Sequence, residues 1–94
     1  NLGSQGVAVI ACAISKKTHD LMCPVSIEMH GIPGGDEPRF VDTVTTSVTS
    51  AIKRALQKQE EPKAIRKSAR SALLSILWER TNQRPLVVIN LLEI

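Results

Sequence analysis

Four side chains in the first third of the chain have the chemistry to hold a metal or form a cross-link: Cys12, His19, Cys23 and His30. Thiolates and imidazoles are the usual zinc donors, but this spacing matches no zinc motif. His19 and His30 bracket a segment that alternates like a strand, so the four would meet only if that hairpin collapsed. Cys12 and Cys23 are expected to lie opposite each other across the hairpin, where a directly opposed pair can meet disulfide geometry. The simpler expectation is two small apolar thiols in a core, as in a protein of a reducing compartment. Serine and threonine are plentiful, yet no His–acid pair stands in sequence context to activate one, and there is no nucleophile elbow. Gly34-Gly35 lacks the Lys-Ser or Lys-Thr that follows in a phosphate loop. Catalysis by this chain is not expected, and neither is a metal or other cofactor of its own.

Charge offers a different chemistry. Lys63, Arg66, Lys67 and Arg70 stand at i, i+3, i+4 and i+7, one stripe along a helix. Such a stripe can track the phosphates of RNA, because nonspecific affinity comes mainly from neutralising backbone charge. It can equally be the solvated back of an amphipathic helix, with Glu60 and Glu61 nearby. Residues 1–50 hold three bases and five acids, whereas residues 51–94 hold nine bases and four acids. A basic half beside an acidic half suits a nucleic acid or an acidic partner, and suits a solvated helix surface as well. The two aromatic residues, Phe40 and Trp78, lie outside the stripe, so nothing there would stack an unpaired base.

The elements that must position these groups follow from size and periodicity. Ninety-four residues, 43% of them apolar and 22% charged, make one globular domain spanning 1–94. The longest apolar runs, residues 7–14 and 86–89, are far shorter than the roughly 20 that cross a bilayer, so no membrane helix is expected. No basic segment followed by an apolar one opens the chain, and no secretory signal is expected. Residues 7–14 form an unbroken apolar run after Gly6, with β-branched residues throughout, which reads as a strand. Residues 21–29 alternate, with Leu21, Cys23, Val25, Ile27 and Met29 on one face. Between them Lys16-Lys17-Thr18-His19 is a hairpin loop whose last position favours the left-handed region. Matching the apolar faces sets Ile14 opposite Leu21, Cys12 opposite Cys23 and Ile10 opposite Val25.

Residues 30–38 hold three Gly and two Pro and read as a loop, with Pro38 opening a helix capped by Asp36 or Glu37. Apolar residues then recur at Val41, Val44, Val48, Ile52 and Ala55. The middle of this helix is rich in Thr and Ser, weak helix formers, so packing must hold it. Pro62 sets up a second helix from about Lys63, whose apolar face is Ile65, Ala69, Ala72, Leu73, Ile76 and Leu77. Trp78 is expected to anchor packing near its end. Asn82 suits a left-handed C-terminal cap, and Pro85 prevents continuation. Residues 86–94 close the chain as a third strand, apolar on both faces and expected to be well covered.

The expected fold is thus α+β, a two-layer ββααβ sandwich with a three-stranded sheet and two antiparallel helices on one face. Pro24 cannot donate to a ladder and favours an edge position for the second strand, giving the order 2-1-3. Two helices cover only one face of such a sheet. The other carries Val7, Val9, Ala11, Ala13 and Met22, with apolar residues from the last strand. That is how a surface docked on another domain or subunit would look, although small residues at a modest face are also found exposed. Arg84 is a candidate for pairing with an acid, inside the domain or across that interface.

The stretch Trp78-Glu79-Arg80-Thr81-Asn82-Gln83-Arg84-Pro85-Leu86-Val87-Val88 resembles the closing segment of the ribonuclease J family. There an aromatic-Glu-Arg-Thr-Gly helix end precedes Arg-Arg-Pro and an apolar terminal strand. Glu79, Arg80, Thr81, Arg84 and Pro85 match that pattern; Asn82 replaces the Gly and Gln83 the first Arg. Gly6-Val7-Ala8-Val9 and Ile14-Ser15-Lys16-Lys17-Thr18 are similar to the family's Gly-led strand and hairpin, with Ser15 and His19 in place of its Asp and Gly. Pro24-Val25-Ser26-Ile27 and Gly31 are similar to its Pro-strand-Gly segment, with His30 where an Arg often stands.

The resemblance implies the C-terminal domain of a longer enzyme. In that family metal-dependent RNA cleavage belongs to an upstream metallo-β-lactamase domain with an inserted β-CASP domain, where zinc is bound. Its His-x-His-x-Asp-His motif is absent from these residues, and no catalytic residue carries over. What the resemblance implies here is assembly: homo-oligomer contacts and support of the catalytic body through a flexible linker, of which residues 1–5 would be the remnant. It implies a cytoplasmic setting, or an organelle stroma for a plant or algal source. Two rivals remain at this point, an autonomous RNA-binding domain using the basic second helix and a small-molecule regulatory domain of ferredoxin-like build.

Overall fold

The computed structural model describes residues 6–94, so the linker expected over residues 1–5 lies outside the described residues. Five elements follow in the order β1 (Val7–Ile14), β2 (Ser26–His30), α1 (Pro38–Gln57), α2 (Pro62–Thr81) and β3 (Leu86–Glu93). The sheet order is β2-β1-β3, with β1 antiparallel to β2 and parallel to β3. The α+β ββααβ arrangement is the one the hydrophobic periodicities predict.

The hairpin register departs from the expected one. Ile14 does bridge Leu21, but Ile10 opposes Ile27 rather than Val25, and Ala11 opposes Ser26. Between these pairings the second segment holds two more residues than the first, so Cys12 has no ladder partner in Cys23. An even offset preserves the side-chain faces, which is why Ile27 and Met29 still pack on the core. The surplus falls around Pro24, which has no amide hydrogen for a ladder, and it shortens the nine-residue strand expected from alternation to the five of β2. The turn itself is as expected: His19 sits at φ 57°, and its amide donates to the Ser15 carbonyl at 3.0 Å.

Ala8, Ile10, Cys12 and Ile14 of β1 are buried against the helices. Opposite them lie Val44, Val48 and Ile52 of α1 and Ile65, Ala69, Leu73 and Leu77 of α2. Phe40, Ala51 and Leu56 join this core, widening the α1 face beyond the single expected row, whereas Val41 is only partly buried. Such burial, at roughly 1.5–3 kcal/mol for each large aliphatic side chain, outweighs the weak propensity of the Thr- and Ser-rich middle of α1.

Each helix opens on proline after a glutamate N-cap, Glu37 and Glu61, neither making a side-chain cap hydrogen bond. α1 ends in a Schellman turn: Gln59 takes φ 57°, its amide donates to the Leu56 carbonyl, and the Glu60 amide donates to that of Ala55. The chain is therefore already reversing before Pro62. β3 departs from expectation by being exposed on alternate residues, because the helices cover one face and β3 is an edge strand.

One glycine is demanded by geometry. Gly6 lies at φ 81°, where a Cβ would sit 2.6 Å from the His30 carbonyl oxygen and 2.7 Å from that of Gly31. Both obstacles are backbone and neither can swing aside. Gly6→Ala is expected to lower stability by more than about 2 kcal/mol, read as a lower midpoint of urea unfolding with an unchanged slope.

Candidate functional site

The C-terminal residues behind the family resemblance converge on one corner, where α2 turns into β3. Arg80 in the last turn of α2 reaches the start of α1: its Nη2 lies 3.3 Å from Oε2 of Glu37, and its guanidinium stacks 4.5 Å from the centroid of the Phe40 ring. One side chain thereby clasps the end of α2 to the beginning of α1. The Thr81 hydroxyl donates to the Leu77 carbonyl at 2.7 Å and accepts from the Gln83 amide at 3.2 Å. Asn82 then takes the left-handed conformation at φ 55°, with its amide donating to the Trp78 carbonyl. Pro85 is buried, and the Leu86 amide donates to the Gly6 carbonyl at 3.1 Å, starting β3 beside β1. The Glu-Arg-Thr to Arg-Pro segment is a structural joint. Trp78 lies off the core, and its ring carries the Arg84 guanidinium 5.1 Å from its centroid. Arg84, the interface candidate, thus belongs to the same corner.

The sulfur and imidazole groups do not assemble. His30 pairs with Val7 at one end of β1, while His19 lies in the turn beyond Ile14 at the other, roughly 20 Å of strand away. Among the described residues no three His, Cys, Asp or Glu side chains gather where they could hold a metal ion. Cys12 and Cys23 are both free thiols, Cys12 buried and Cys23 exposed. This corrects the expectation of two core thiols: the irregular stretch that shifts the register also turns Cys23 outward. Burial, and then the neighbouring Cys23, push the Cys12 thiol pKa up.

The four cations of the α2 stripe divide. Arg66 leans toward the sheet, with Nη2 3.8 Å from Oε2 of Glu93, which also has Lys16 Nζ 3.9 Å from its Oε1. Lys67 turns the other way, into a groove between the helices that it lines with Arg54 and Lys58 of α1. Lys63 and Arg70 are exposed. The sequence reading missed Arg54 and Lys58; their i, i+4 spacing was a legible signal, but only the packing of α1 on α2 brings them to Lys67.

The outer face of the sheet presents Val7, Val9, Ala11 and Ala13 of β1, the last buried and the others partly so. Beside them on β3 lie Leu86, Val88 and Leu92, 46%, 39% and 62% exposed. The third strand of this face is polar: Ser26, Glu28 and His30 of β2 are exposed, with Nε2 of His30 4.0 Å from Oε1 of Glu28. The apolar patch is therefore confined to β1 and β3 and bordered on one side. A shallow depression of about 430 Å³ marks it, lined by Ala11, Ala13, Cys23, Pro24, Asn90 and Leu92 among others. Met22 sits apart, lining clefts with Lys53 of α1 at the β2 edge. No helix is long and apolar enough to cross a membrane among the described residues.

Two outcomes follow from these contacts. Arg80→Ala removes the clasp and is expected to cost about 1 kcal/mol, since the ion pair with Glu37 is solvent-exposed and the guanidinium itself is half in water, with the loss visible in thermal unfolding. Alkylation of the native protein with iodoacetamide should modify Cys23 and spare Cys12 until denaturant is added, as mass spectrometry would show.

The profile of the family described as Ribonuclease J C-terminal domain matches residues 1–94, the whole chain. No curated protein matches it. The family match spans all three strands, both helices and the α2–β3 corner alike. This chain belongs to the ribonuclease J C-terminal domain family, a noncatalytic module of a nuclease.

Proposed function

We propose that this module holds ribonuclease J subunits together and supports their catalytic body, using the outer face of its sheet. The supporting observation is the apolar patch of β1 and β3, on which Leu86, Val88 and Leu92 are exposed. A mainly aliphatic surface, interrupted by Asn90 and bordered on one side by Ser26, Glu28 and His30, has the composition of a protein interface with a polar rim. The outer edge of β3 adds unpaired backbone groups along eight residues that carry no proline, lysine or arginine to blunt it. Such an edge extends a sheet when a partner strand is offered. RNA cleavage, and the zinc that serves it in the family, fall to the upstream domains, and the assembly works in the cytoplasm or an organelle stroma.

Sedimentation velocity of the chain tests this reading. Self-association that rises with concentration is expected, and Val88→Lys with Leu92→Lys should abolish it while leaving the helical circular dichroism signal unchanged. A wild-type chain that stays monomeric up to its solubility limit would refute the oligomer reading.

A further inference from the structure

The groove between the helices is a second surface, distinct from the sheet face in position and chemistry. Its lining includes Ala51, Ala55 and Ala72 as a floor of small side chains, Arg54, Lys58 and Lys67 as cations, and the hydroxyls of Ser68, Ser71 and Ser75. The space between them is about 630 Å³, and no sheet residue lines it, so it opens on the far side of the helix layer. Glu60 is the one acid in the lining. The ion pairs of the described residues join Lys16 and Arg66 to Glu93 and Arg80 to Glu37, and none involves Arg54, Lys58 or Lys67. Of the nine bases of residues 51–94, Arg66 and Arg80 are drawn to carboxylates at the sheet edge and at the clasp, whereas three others gather in this groove around a single acid.

We propose that the α1–α2 groove binds the sugar-phosphate backbone of single-stranded RNA, with Arg54, Lys58 and Lys67 on successive phosphates and the three serines donating to their oxygens. The run from Lys67 to Ser75 measures about 12 Å of helix, room for two or three phosphates of a strand. A guanidinium fork and hydroxyl donors suit phosphate oxygens, and alanines in the floor let a backbone approach closely. No aromatic side chain lines the groove, so binding is blind to base identity. RNA is the polyanion at hand for a module of a ribonuclease. The site is independent of the assembly reading, because a dimer formed through the sheet leaves the opposite face open.

Fluorescence anisotropy of the chain with a labelled single-stranded oligouridylate, at about 50 to 200 mM salt, tests the assignment. Three phosphate contacts give a slope of about −2 in the logarithm of affinity against that of salt. Replacing Arg54, Lys58 and Lys67 together by Gln should weaken binding at least about tenfold at the low-salt end and flatten that slope toward zero. Lys63→Gln with Arg70→Gln, outside the groove, should leave most of the slope in place, and an oligoadenylate of equal length should bind as the oligouridylate does. Four results would overturn the site: no binding by the wild-type chain at low salt, a triple variant with the wild-type slope, an equal loss in the Lys63 and Arg70 variant, or polyglutamate competing as well as unlabelled RNA. The Val88→Lys, Leu92→Lys chain should still bind RNA, which separates failure of this site from failure of the assembly reading.

Discussion

A three-stranded sheet has two faces, and two helices of twenty residues can cover only one of them. The consequences run through the whole molecule. β1, the central strand, buries Ala8, Ile10, Cys12 and Ile14 beneath the helices and turns Val7, Val9 and Ala11 the other way. Because side chains alternate strictly along a strand, the aliphatic residues that build the core and those that make the outer patch are interleaved in sequence. The two surfaces are therefore inseparable: any shift of register that covered the patch would expose the core.

The same constraint explains what the amino-acid sequence disclosed. Period-two and period-three-to-four patterns located every strand and helix, and left-handed positions at His19 and Asn82 followed from turn chemistry. The hairpin register was half legible. Parity, dictated by burial, was readable; the two-residue surplus between Leu21 and Ser26 was not, since it leaves parity unchanged. Cys23 went outward with that surplus. β3 was expected to be covered because both its faces are apolar, yet an apolar residue marks a surface that avoids water without saying which molecule will cover it. Arg54 and Lys58 escaped notice because a groove is a property of two helices packed together, and one-dimensional spacing shows only one helix at a time.

The residues that identify the family are instructive for a different reason. Glu-Arg-Thr and Arg-Pro look like chemistry, with a carboxylate, two guanidiniums and a hydroxyl in seven positions. Three of them hold chain segments together instead: Arg80 clasps Glu37 and Phe40 at the start of α1, Thr81 ties Leu77 to Gln83, and Arg84 lies over Trp78. Polar residues at a chain reversal satisfy backbone groups that helix and strand leave over. The surfaces suited to partners are built instead from residues with no distinctive motif, aliphatic on the sheet and basic along the helices.

The parallel pairing of β1 with β3 joins Val7 to Leu86 and Ile14 to Glu93, the first strand to the last. Such a link closes a loop of nearly the whole chain, and its entropy must be met before the contact gives anything back. During synthesis the hairpin and both helices emerge while the slot beside β1 is still empty. The nascent module stays unfinished until its final residues leave the ribosome, so a truncated transcript yields a half-built sheet, with β1 bare along one edge, that is ready prey for proteases.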